Sequence, residues 1–389
     1  MNILYGISAT GNGHISRSRI LISALKKRGH NITVLFSGRD IKDLFDTKEF
    51  EPFIAKEGFT FKIKNGKVQY FSTLLNTNIY NFFYDIFKIN NDYDVVVTDF
   101  EPISAFAAKK LNIPCIGVGH QYSFNTNIPM TLKMKFFSLF FPKFFTPVDK
   151  SIASHFYHFN QPILPPFIDE KLQNSNNAKQ KKDVILVYLP WERQDKMLDI
   201  CSKIKSKKFI YYTNIDEQLE VNNVLLKPFS NVNFKKDLIE SEGVITNAGF
   251  QLPSECIFLG KKLLCKPLQG QPEQEHNAQI LSDLKLATTC NNLTTSTIND
   301  WIKNSSSRRI QYKNPVDLMI KIIENPEIDF SNEIIDISQV LGENDNYIDI
   351  MKDNNGDQYW PEFNYNSIGN FTPGSGYQIK VNTSFSISF

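Results

Sequence analysis

The sequence has almost no net charge, and it has no hydrophobic run long enough to cross a membrane. Its 43 basic and 41 acidic residues leave a formal charge of +2, so an anionic partner must be recognised by a local patch and nucleic acid is not expected as a partner. No stretch approaches the roughly 20 apolar residues of a transmembrane helix. The first residues enter a strand-like run without the basic and apolar segments of a signal peptide. These absences predict a cytoplasmic protein.

Cysteine is also scarce, and its spacing matches no disulfide or metal-binding pattern. The five cysteines are odd in number and no two of them are spaced as CxxC. We interpret each as a small apolar residue in a reduced interior. The residues are Cys115, Cys201, Cys256, Cys265 and Cys290.

Strands and helices are predicted to alternate along two successive stretches of the chain. The 389 residues exceed the roughly 100–200 residues of an ordinary domain, so two domains are expected. A strand, a glycine turn, a helix and a second strand at residues 2–36 are typical of the start of a parallel sheet. We therefore predict an α/β protein with two Rossmann-like domains and a short β-rich C-terminal extension. The predicted segments are residues 1–169, a polar linker at 170–182, residues 183–335, and a β-rich or poorly ordered tail at 336–389.

A glycine-rich turn joins the first strand to the first helix. Residues 8–14 read Ser-Ala-Thr-Gly-Asn-Gly-His. Gly11 and Gly13 let the backbone approach a phosphate or sugar, and the helix N-terminus behind them offers free N–H groups and the positive end of its dipole. The third glycine of a dinucleotide fingerprint and the Gly-Lys-Ser/Thr of a P-loop are absent. His14 stands where a general base is useful, although an ordinary tight turn explains this motif equally well.

Acidic residues flank the strand predicted at 93–98. Asp99 and Glu101 follow its C-terminal end, where ligands bind in open α/β sheets, so either carboxylate could orient a histidine or act as a base. Asp92 and Asp94 have the spacing of a metal-binding DxD motif, but they precede the strand and are interpreted as turn residues. We predict that His14 is the catalytic base, with Asp99 as the next candidate.

The second half repeats the pattern of strand, loop and helix start. Residues 245–255 read Ile-Thr-Asn-Ala-Gly-Phe-Gln-Leu-Pro-Ser-Glu. Pro253 suits a first helical turn and Ser254 can cap nearby amides, which predicts a second anion-binding helix N-terminus. The Glu255 carboxylate is placed to accept hydrogen bonds from ribose hydroxyls, although an acid in a first turn also stabilises its own helix. Residues 267–278 follow the next strand and are rich in groups that bond sugar hydroxyls.

Taken in order, these second-half residues match a known signature. Gly249, Glu255, Gly260 and the run 274–278 resemble the donor site of GT-B glycosyltransferases. The resemblance is nearest to the lipid-linked N-acetylglucosaminyltransferase of peptidoglycan synthesis (glycosyltransferase family 28-like) and its Gly-x-Gly-His relatives. It implies two Rossmann-like domains facing a cleft, and sugar transfer from a nucleoside-diphosphate donor, UDP-sugar above all, to a hydroxyl acceptor. We expect an inverting transfer, and because helix N-termini can stabilise the departing diphosphate we expect no metal or other cofactor.

The resemblance also implies roles for single residues. Those expected to bind the donor around the second helix start are Asn247, Gly249, Phe250, Gln251, Ser254 and Glu255. Glu273 and Gln274 would reach the donor sugar, and Asn277 would order the loop. Gly11, Gly13 and His14 would face them across the cleft, with His120 and Gln121 on the acceptor side. Asn12 stands where relatives often have glycine, and the Glu-Gln pair replaces the commoner Gln-Gln or Asp-Gln, so the identity of the donor sugar is not carried over.

The segment 133–145 has the most unusual composition of the chain. It interleaves six phenylalanines with three lysines. Two interpretations stay open: a core helix, since phenylalanine is usually buried, and an interfacial segment that dips into an anionic membrane. The second would suit a lipid-linked or cell-envelope acceptor and an association with the inner face of the membrane.

Two other functions share the predicted architecture. A UDP-sugar 2-epimerase would be expected to keep more acidic and arginine residues in the cleft. A nucleotide-sugar-binding protein would bind the donor without turnover.

Overall fold

A computed structural model provides the structure of the chain. The residues that it describes are 1–60, 63–69, 78–159, 161–175, 181–328, 348–353, 358–360, 365–366 and 377–382.

Seven parallel strands form the sheet of the first half. The strands of this half are β1 Asn2–Ser8, β2 Asn31–Ser37, β3 Phe53–Lys56, β4 Ile63–Lys64, β5 Lys67–Val68, β6 Val95–Asp99, β7 Cys115–Gly119, β8 Lys150–Ser154 and β9 Ile163–Leu164. The spatial order of the main sheet is β3-β2-β1-β6-β7-β8-β9, and β4 pairs with β5 separately. The helices are α1 Asn12–Lys27, α2 Ile79–Lys88, α3 Pro102–Leu111, α4 Leu132–Phe145 and α5 Glu170–Gln173.

The second half repeats this architecture. Its strands are β10 Lys181–Tyr188, β11 Lys208–Tyr212, β12 Leu219–Val221, β13 Val224–Lys227, β14 Ser241–Thr246, β15 Lys262–Cys265 and β16 Thr288–Thr289. They pair in the order β12-β13-β11-β10-β14-β15-β16, parallel except for β12. The helices are α6 Gln194–Ser202, α7 Asn231–Glu240, α8 Gln251–Leu259, α9 Pro272–Asp283, α10 Thr295–Asn304 and α11 Val316–Glu324. The prediction of two Rossmann-like halves is confirmed.

Each sheet has one place where the strand order changes direction. In the first sheet the chain builds outward from β1 to β3 and then returns to the other side of β1 as β6. In the second sheet it returns beside β10 as β14. In open α/β sheets such switch points leave a crevice at the C-terminal strand ends, where ligands bind. Each half therefore has its crevice next to one of the glycine-containing loops.

The apolar strands are covered on both faces, as parallel sheets require. One face of the first sheet packs against α1 and, unexpectedly, against α11 from the far end of the chain, whose Val316, Met319 and Ile323 belong to that core. The predicted second segment, 183–335, includes α11, whereas its packing ties it to the first half. Helix α11 packs there because its apolar residues recur with the 3.6-residue period of a helix and therefore form one apolar face.

The predicted linker and tail are described in part. The segment 170–182 opens with α5, whose Leu172 is fully buried in the core of the second half, and β10 already begins at Lys181. The tail contains β17 Ile348–Asp353, β18 Gln358–Trp360, β19 Tyr365–Asn366 and β20 Tyr377–Val381, which form a four-stranded antiparallel sheet. The predicted β-rich character is thus confirmed for the residues of the tail that the structure describes.

Candidate active site between the two halves

The N-termini of α1 and α8 face each other across the two crevices. A Cβ atom added at Gly13 would lie 3.4 Å from the Cβ of Gln251, whereas one added at Gly11 or Gly249 would meet nothing within 4 Å. Both glycine-containing loops therefore border open space. Two helix N-termini directed at one space favour an anionic ligand there, because their first amide groups lack intrahelical partners.

His14 and Asp99 form a pair at this place. The His14 Nδ1 lies 2.7 Å from Asp99 Oδ1; the His14 side chain is 13% exposed and that of Asp99 1%. Arg17 Nη2 also lies 2.8 Å from His14 Nδ1, but a guanidinium only donates, so the carboxylate is the acceptor that both groups can share. A proton on Nδ1 leaves Nε2 of the neutral ring free to accept one, which is the arrangement of a general base.

Arg17 holds the Asp99 carboxylate in the buried site. Its Nε donates to Asp99 Oδ2 at 2.6 Å, and Ser18 Oγ donates to the same oxygen at 3.0 Å. Burial alone would raise the pKa of Asp99, but its interactions with Arg17 and His14 outweigh burial and lower that pKa to about 2. Gly119 leaves room for the guanidinium: its φ is +135°, and an added Cβ would lie 2.8 Å from Arg17 Nη2.

A chain of hydrogen bonds continues from Arg17 into the second half. Arg17 Nη2 donates to Gln121 Oε1 at 2.9 Å, and Gln121 Nε2 donates to Glu273 Oε1 at 3.1 Å. Glu273 lies in the first turn of α9. The candidate base is therefore connected, through Asp99, to the carboxylate that the resemblance places at the donor sugar.

Two predicted site residues, Glu101 and Ser254, have structural roles that the sequence did not indicate. Glu101 is fully buried, accepts from the amides of Ile103 and Ser104, and so caps α3; as a cap directed at its own helix it is not a base. Ser254 donates to the carbonyl of Phe250 at 2.8 Å and is fully buried, so it caps no amide and borders no ligand space. The prediction was wrong because α8 begins two residues earlier than expected, at Gln251.

His120 is not an open acceptor-side residue either. It is fully buried, its Nε2 lies 2.8 Å from Asn277 Oδ1, and its ring stacks on Phe250 with centroids 4.2 Å apart. Asn277 in turn donates to the carbonyl of Ala248 at 3.2 Å. These contacts join the two halves, and they place Asn277 where it can order the loop before α8.

The remaining donor-side residues lie around the start of α8. Gln251 Nε2 donates to Glu255 Oε1 at 2.8 Å, and burial raises the pKa of the Glu255 carboxyl. Asn247 Nδ2 donates to the carbonyl of Lys266 at 2.9 Å. Within the described part of the chain, Asn247 Oδ1 and Gln251 Oε1 are buried without a protein partner. Gln274 instead bonds the loop, since its Oε1 accepts from the amide of Leu268 at 3.1 Å.

A cleft that opens to solvent lies beside these residues, with about 680 Å³ of space when its open mouth is included. Gly13, Gln251 and Glu255 line it, together with Arg19 and Lys235. Its aromatic wall consists of Phe45, Tyr188, Tyr212, Phe229 and Phe234. The combination of apolar rings, a carboxylate and two cations is typical of a small-molecule site.

Sequence reasoning missed Arg17 and the contacts of Asn12. Arg17 is buried against Asp99, and Arg19 pairs with Glu49. Asn12 donates to the Tyr188 hydroxyl of the second half at 2.6 Å. The spacing of Arg17 from His14, one helical turn, was a usable signal, because residues three apart share a helix face. The Asn12–Tyr188 contact joins distant parts of the chain, so no local sequence pattern could have indicated it.

Three buried histidines make the junction of the halves sensitive to acid. Burial lowers the pKa of His120, His155 and His276, the last to about 4, and neighbouring imidazoles lower the pKa of His155 and His276 further. The unfolded chain takes up protons below pH ~6.5 while the folded protein does not, so stability falls as the pH drops from about 6.5 towards 4, by up to about 1.4 kcal/mol per pH unit for each histidine.

We expect the urea concentration at the unfolding midpoint to decrease as the pH is lowered from 7.5 to 5. The decrease should be smaller for the His276→Gln variant. Equal pH dependence of the variant and the unmodified protein would contradict this assignment.

Both interpretations of the segment 133–145 stay open, because helix α4 has buried as well as exposed side chains. Within α4, Met134 is fully buried, whereas Leu132, Phe136 and Phe144 are exposed. Within the described ranges, no helix combines the length and apolarity that a bilayer crossing requires. Asp94, the second aspartate of the DxD-like motif, accepts from the amide of Asn2 at 2.7 Å.

Comparison with known proteins agrees with the fold and gives a family. The family described as Glycosyl transferase family 1 matches residues 1–305. A search of curated protein sequences gives no significant match. The structure resembles the glycotransferase of kitacinnamycin (TM-score 0.50, 14% identity, covering 78% of this chain and 89% of the other).

Two further solved structures are similar to the same degree. They are the spinosyn forosaminyltransferase SpnP (TM-score 0.50, 12% identity, 84% of this chain and 100% of the other) and Arabidopsis thaliana UGT89C1 complexed with UDP (0.50, 13%, 83% and 93%). At these identities the likeness concerns the fold. The narrower resemblance to the peptidoglycan enzyme stays a prediction, and the epimerase alternative is not favoured. The match over residues 1–305 shows that the chain belongs to glycosyl transferase family 1 and is a glycosyltransferase of GT-B fold.

Proposed function

We propose that this enzyme transfers a sugar from a nucleoside-diphosphate donor, a UDP-sugar above all, to a hydroxyl acceptor with inversion and without a metal. The observation that carries the proposal is the His14–Asp99 pair at the meeting point of two helix N-termini. His14 Nε2 takes the proton of the acceptor hydroxyl while the oxygen attacks the anomeric carbon. The bond from that carbon to the diphosphate oxygen breaks, and the nucleoside diphosphate leaves with the electron pair.

The second half supplies the donor site in this scheme. The free amides at the start of α8 and the space beside Gly249 suit the diphosphate of the donor. The aromatic wall of the cleft suits its nucleobase. Glu255 accepts from the ribose hydroxyls. Glu273, held by Gln121, meets the donor sugar. The UDP named with Arabidopsis thaliana UGT89C1 supports this choice of nucleotide.

The proposed acceptor is a lipid-linked or cell-envelope molecule at the inner face of the membrane. The exposed phenylalanines of α4 support this part of the proposal. Helix α4 is also tied to the donor side, because Lys133 pairs with Glu275 in the first turn of α9.

Nucleotide binding tests the donor site directly. We expect UDP to raise the melting temperature more than the other nucleoside diphosphates do. Glu255→Ala should raise the donor KM about 10- to 100-fold, because two hydrogen bonds to a buried carboxylate are lost, with a smaller change in kcat. Steady-state kinetics with varied donor concentration measures both.

Glu255→Gln is the matched control, since it keeps one acceptor oxygen at nearly the same volume and should be intermediate. The melting temperature of each variant without ligand separates donor loss from misfolding. An unchanged donor KM in a folded Glu255→Ala variant would rule out the ribose contact.

A further inference from the structure

Helix α2 exposes an aromatic face that the sequence patterns above did not single out. Ile79, Tyr80, Phe83, Tyr84 and Phe87 are each at least half exposed, with Tyr80 at 77% and Phe87 at 66%. At 100° per residue these five positions fall within one side of the helix. The opposite side packs inward through Phe82, Asp85 and Ile86. A protein that stays free in water rarely exposes so many large apolar side chains together.

Helices α2 and α4 are linked through one phenylalanine that packs against both. Phe59 lies between the two helices, with ring centroids 4.6 Å from Phe82 and 5.8 Å from Phe145. Phe144, next to Phe145, is 70% exposed. We call the exposed side chains of both helices the aromatic surface: Ile79, Tyr80, Phe83, Tyr84, Phe87, Leu132, Phe136 and Phe144.

Two lysines lie over rings of the aromatic surface. Lys88 lies over the ring of Tyr84 and Lys110 over that of Phe87, at 5.2 and 4.7 Å from the ring centroids. Lys135 is exposed on α4. The single acidic residue of the two helices, Asp85, is buried and paired with Lys56 at 2.7 Å. Lysines beside tyrosine and phenylalanine are typical of side chains at the interface between membrane and water.

We propose that the aromatic surface docks the enzyme on an anionic lipid bilayer, with α2 lying in the plane of the headgroups. Its ten residues make a helix of about 15 Å, too short to span and suited to lying at the interface. The rings enter the boundary of the acyl chains and the lysines contact lipid phosphates. This inference rests on the proposed lipid-linked acceptor, and it adds the element that holds the enzyme at the membrane and the sign of the lipid charge.

Vesicle sedimentation of the full-length protein tests the proposal. We expect binding to phosphatidylcholine vesicles that contain phosphatidylglycerol, weaker binding to pure phosphatidylcholine, and weaker binding at high salt. The Tyr80→Ser/Phe87→Ser double variant should bind the anionic vesicles at least about 10-fold more weakly. Lys88→Gln/Lys110→Gln should lose much of the preference for anionic vesicles.

A matched control changes two equally exposed apolar residues elsewhere. Ile41 and Leu219 are 58% and 55% exposed, and Ile41→Ser/Leu219→Ser should bind vesicles like the unmodified protein. All variants should keep their melting temperature and their nucleoside diphosphate release with a water-soluble acceptor, so that loss of docking and loss of the proposed chemistry are distinguished.

Three results would overturn the proposal. The first is no binding of the unmodified protein to anionic vesicles. The second is equal binding by the Tyr80→Ser/Phe87→Ser variant. The third is a change from dimer to monomer in that variant, measured by light scattering, since it would assign the surface to a second copy of the chain.

Discussion

The His14→Ala variant is expected to lose about 10²- to 10⁴-fold in kcat while its donor KM stays nearly unchanged. Proton transfer by a positioned histidine contributes rate enhancement of this size, and the ring lies 2.7 Å from the carboxylate that orients it. The donor contacts proposed for the second half do not involve His14. Initial rates at saturating and at varied donor concentration separate the two parameters.

Two further variants sharpen this test. Asp99→Asn keeps the shape of the side chain but can present an amide donor to Nδ1, so it should also lower kcat through the wrong imidazole tautomer. His30→Ala removes a histidine that bonds Glu324 at 2.9 Å, outside the cleft, and should leave kcat unchanged. Full activity of His14→Ala would show that another group is the base.

The Arg17→Ala variant is expected to lower the free energy of unfolding by about 3–5 kcal/mol, because removing one partner of a buried ion pair leaves the other charge uncompensated. Among the residues that the structure describes, Asp99 would then keep Ser18 and His14 as partners. Activity should also fall, since Arg17 is a positioning residue that fixes both Asp99 and Gln121. The urea midpoint measures the first effect.

Arg28→Ala is the matched control for stability. Arg28 sits at the end of the same helix and pairs with Asp317 and Glu324 at the surface, so its loss should cost no more than about 1 kcal/mol. Arg17→Lys keeps the charge but loses the bidentate hydrogen bonding to Asp99. Its free energy of unfolding should therefore lie between those of Arg17→Ala and the unmodified protein. Equal urea midpoints for Arg17→Ala and Arg28→Ala would contradict the role of Arg17.

Much of the fold could be predicted because its signals are local. Apolar runs bounded by glycine and proline predicted β1, β6 and β14, and the loop at 8–14 and the segment 245–255 predicted where helices begin. The rule that ligands bind at the C-terminal strand ends of parallel sheets predicted that Asp99 lies at the sheet edge that also carries the loop of His14. Their contact at 2.7 Å agrees with that expectation, while their catalytic roles stay proposals.

What could not be predicted depends on packing between distant segments. The burial of Arg17 requires Asp99, 82 residues away, and Gln121, 104 residues away, and no local pattern carries such contacts. Glu101 was a reasonable base by position, yet a carboxylate before proline at a helix start is equally suited to capping, and here it caps. The segment of α2 was not singled out because an aromatic run reads as core until its exposure is known.

The coupling of sugar transfer to nucleoside diphosphate release tests the central claim most directly. The enzyme is incubated with UDP-sugars and lipid extracts, with and without EDTA, while UDP release and label incorporated into acceptor are counted together. Glycosylated acceptor and UDP should form one to one, unaffected by EDTA and strongly reduced in His14→Ala. Epimerised UDP-sugar formed without acceptor, or donor binding without release across suitable acceptors, would contradict it.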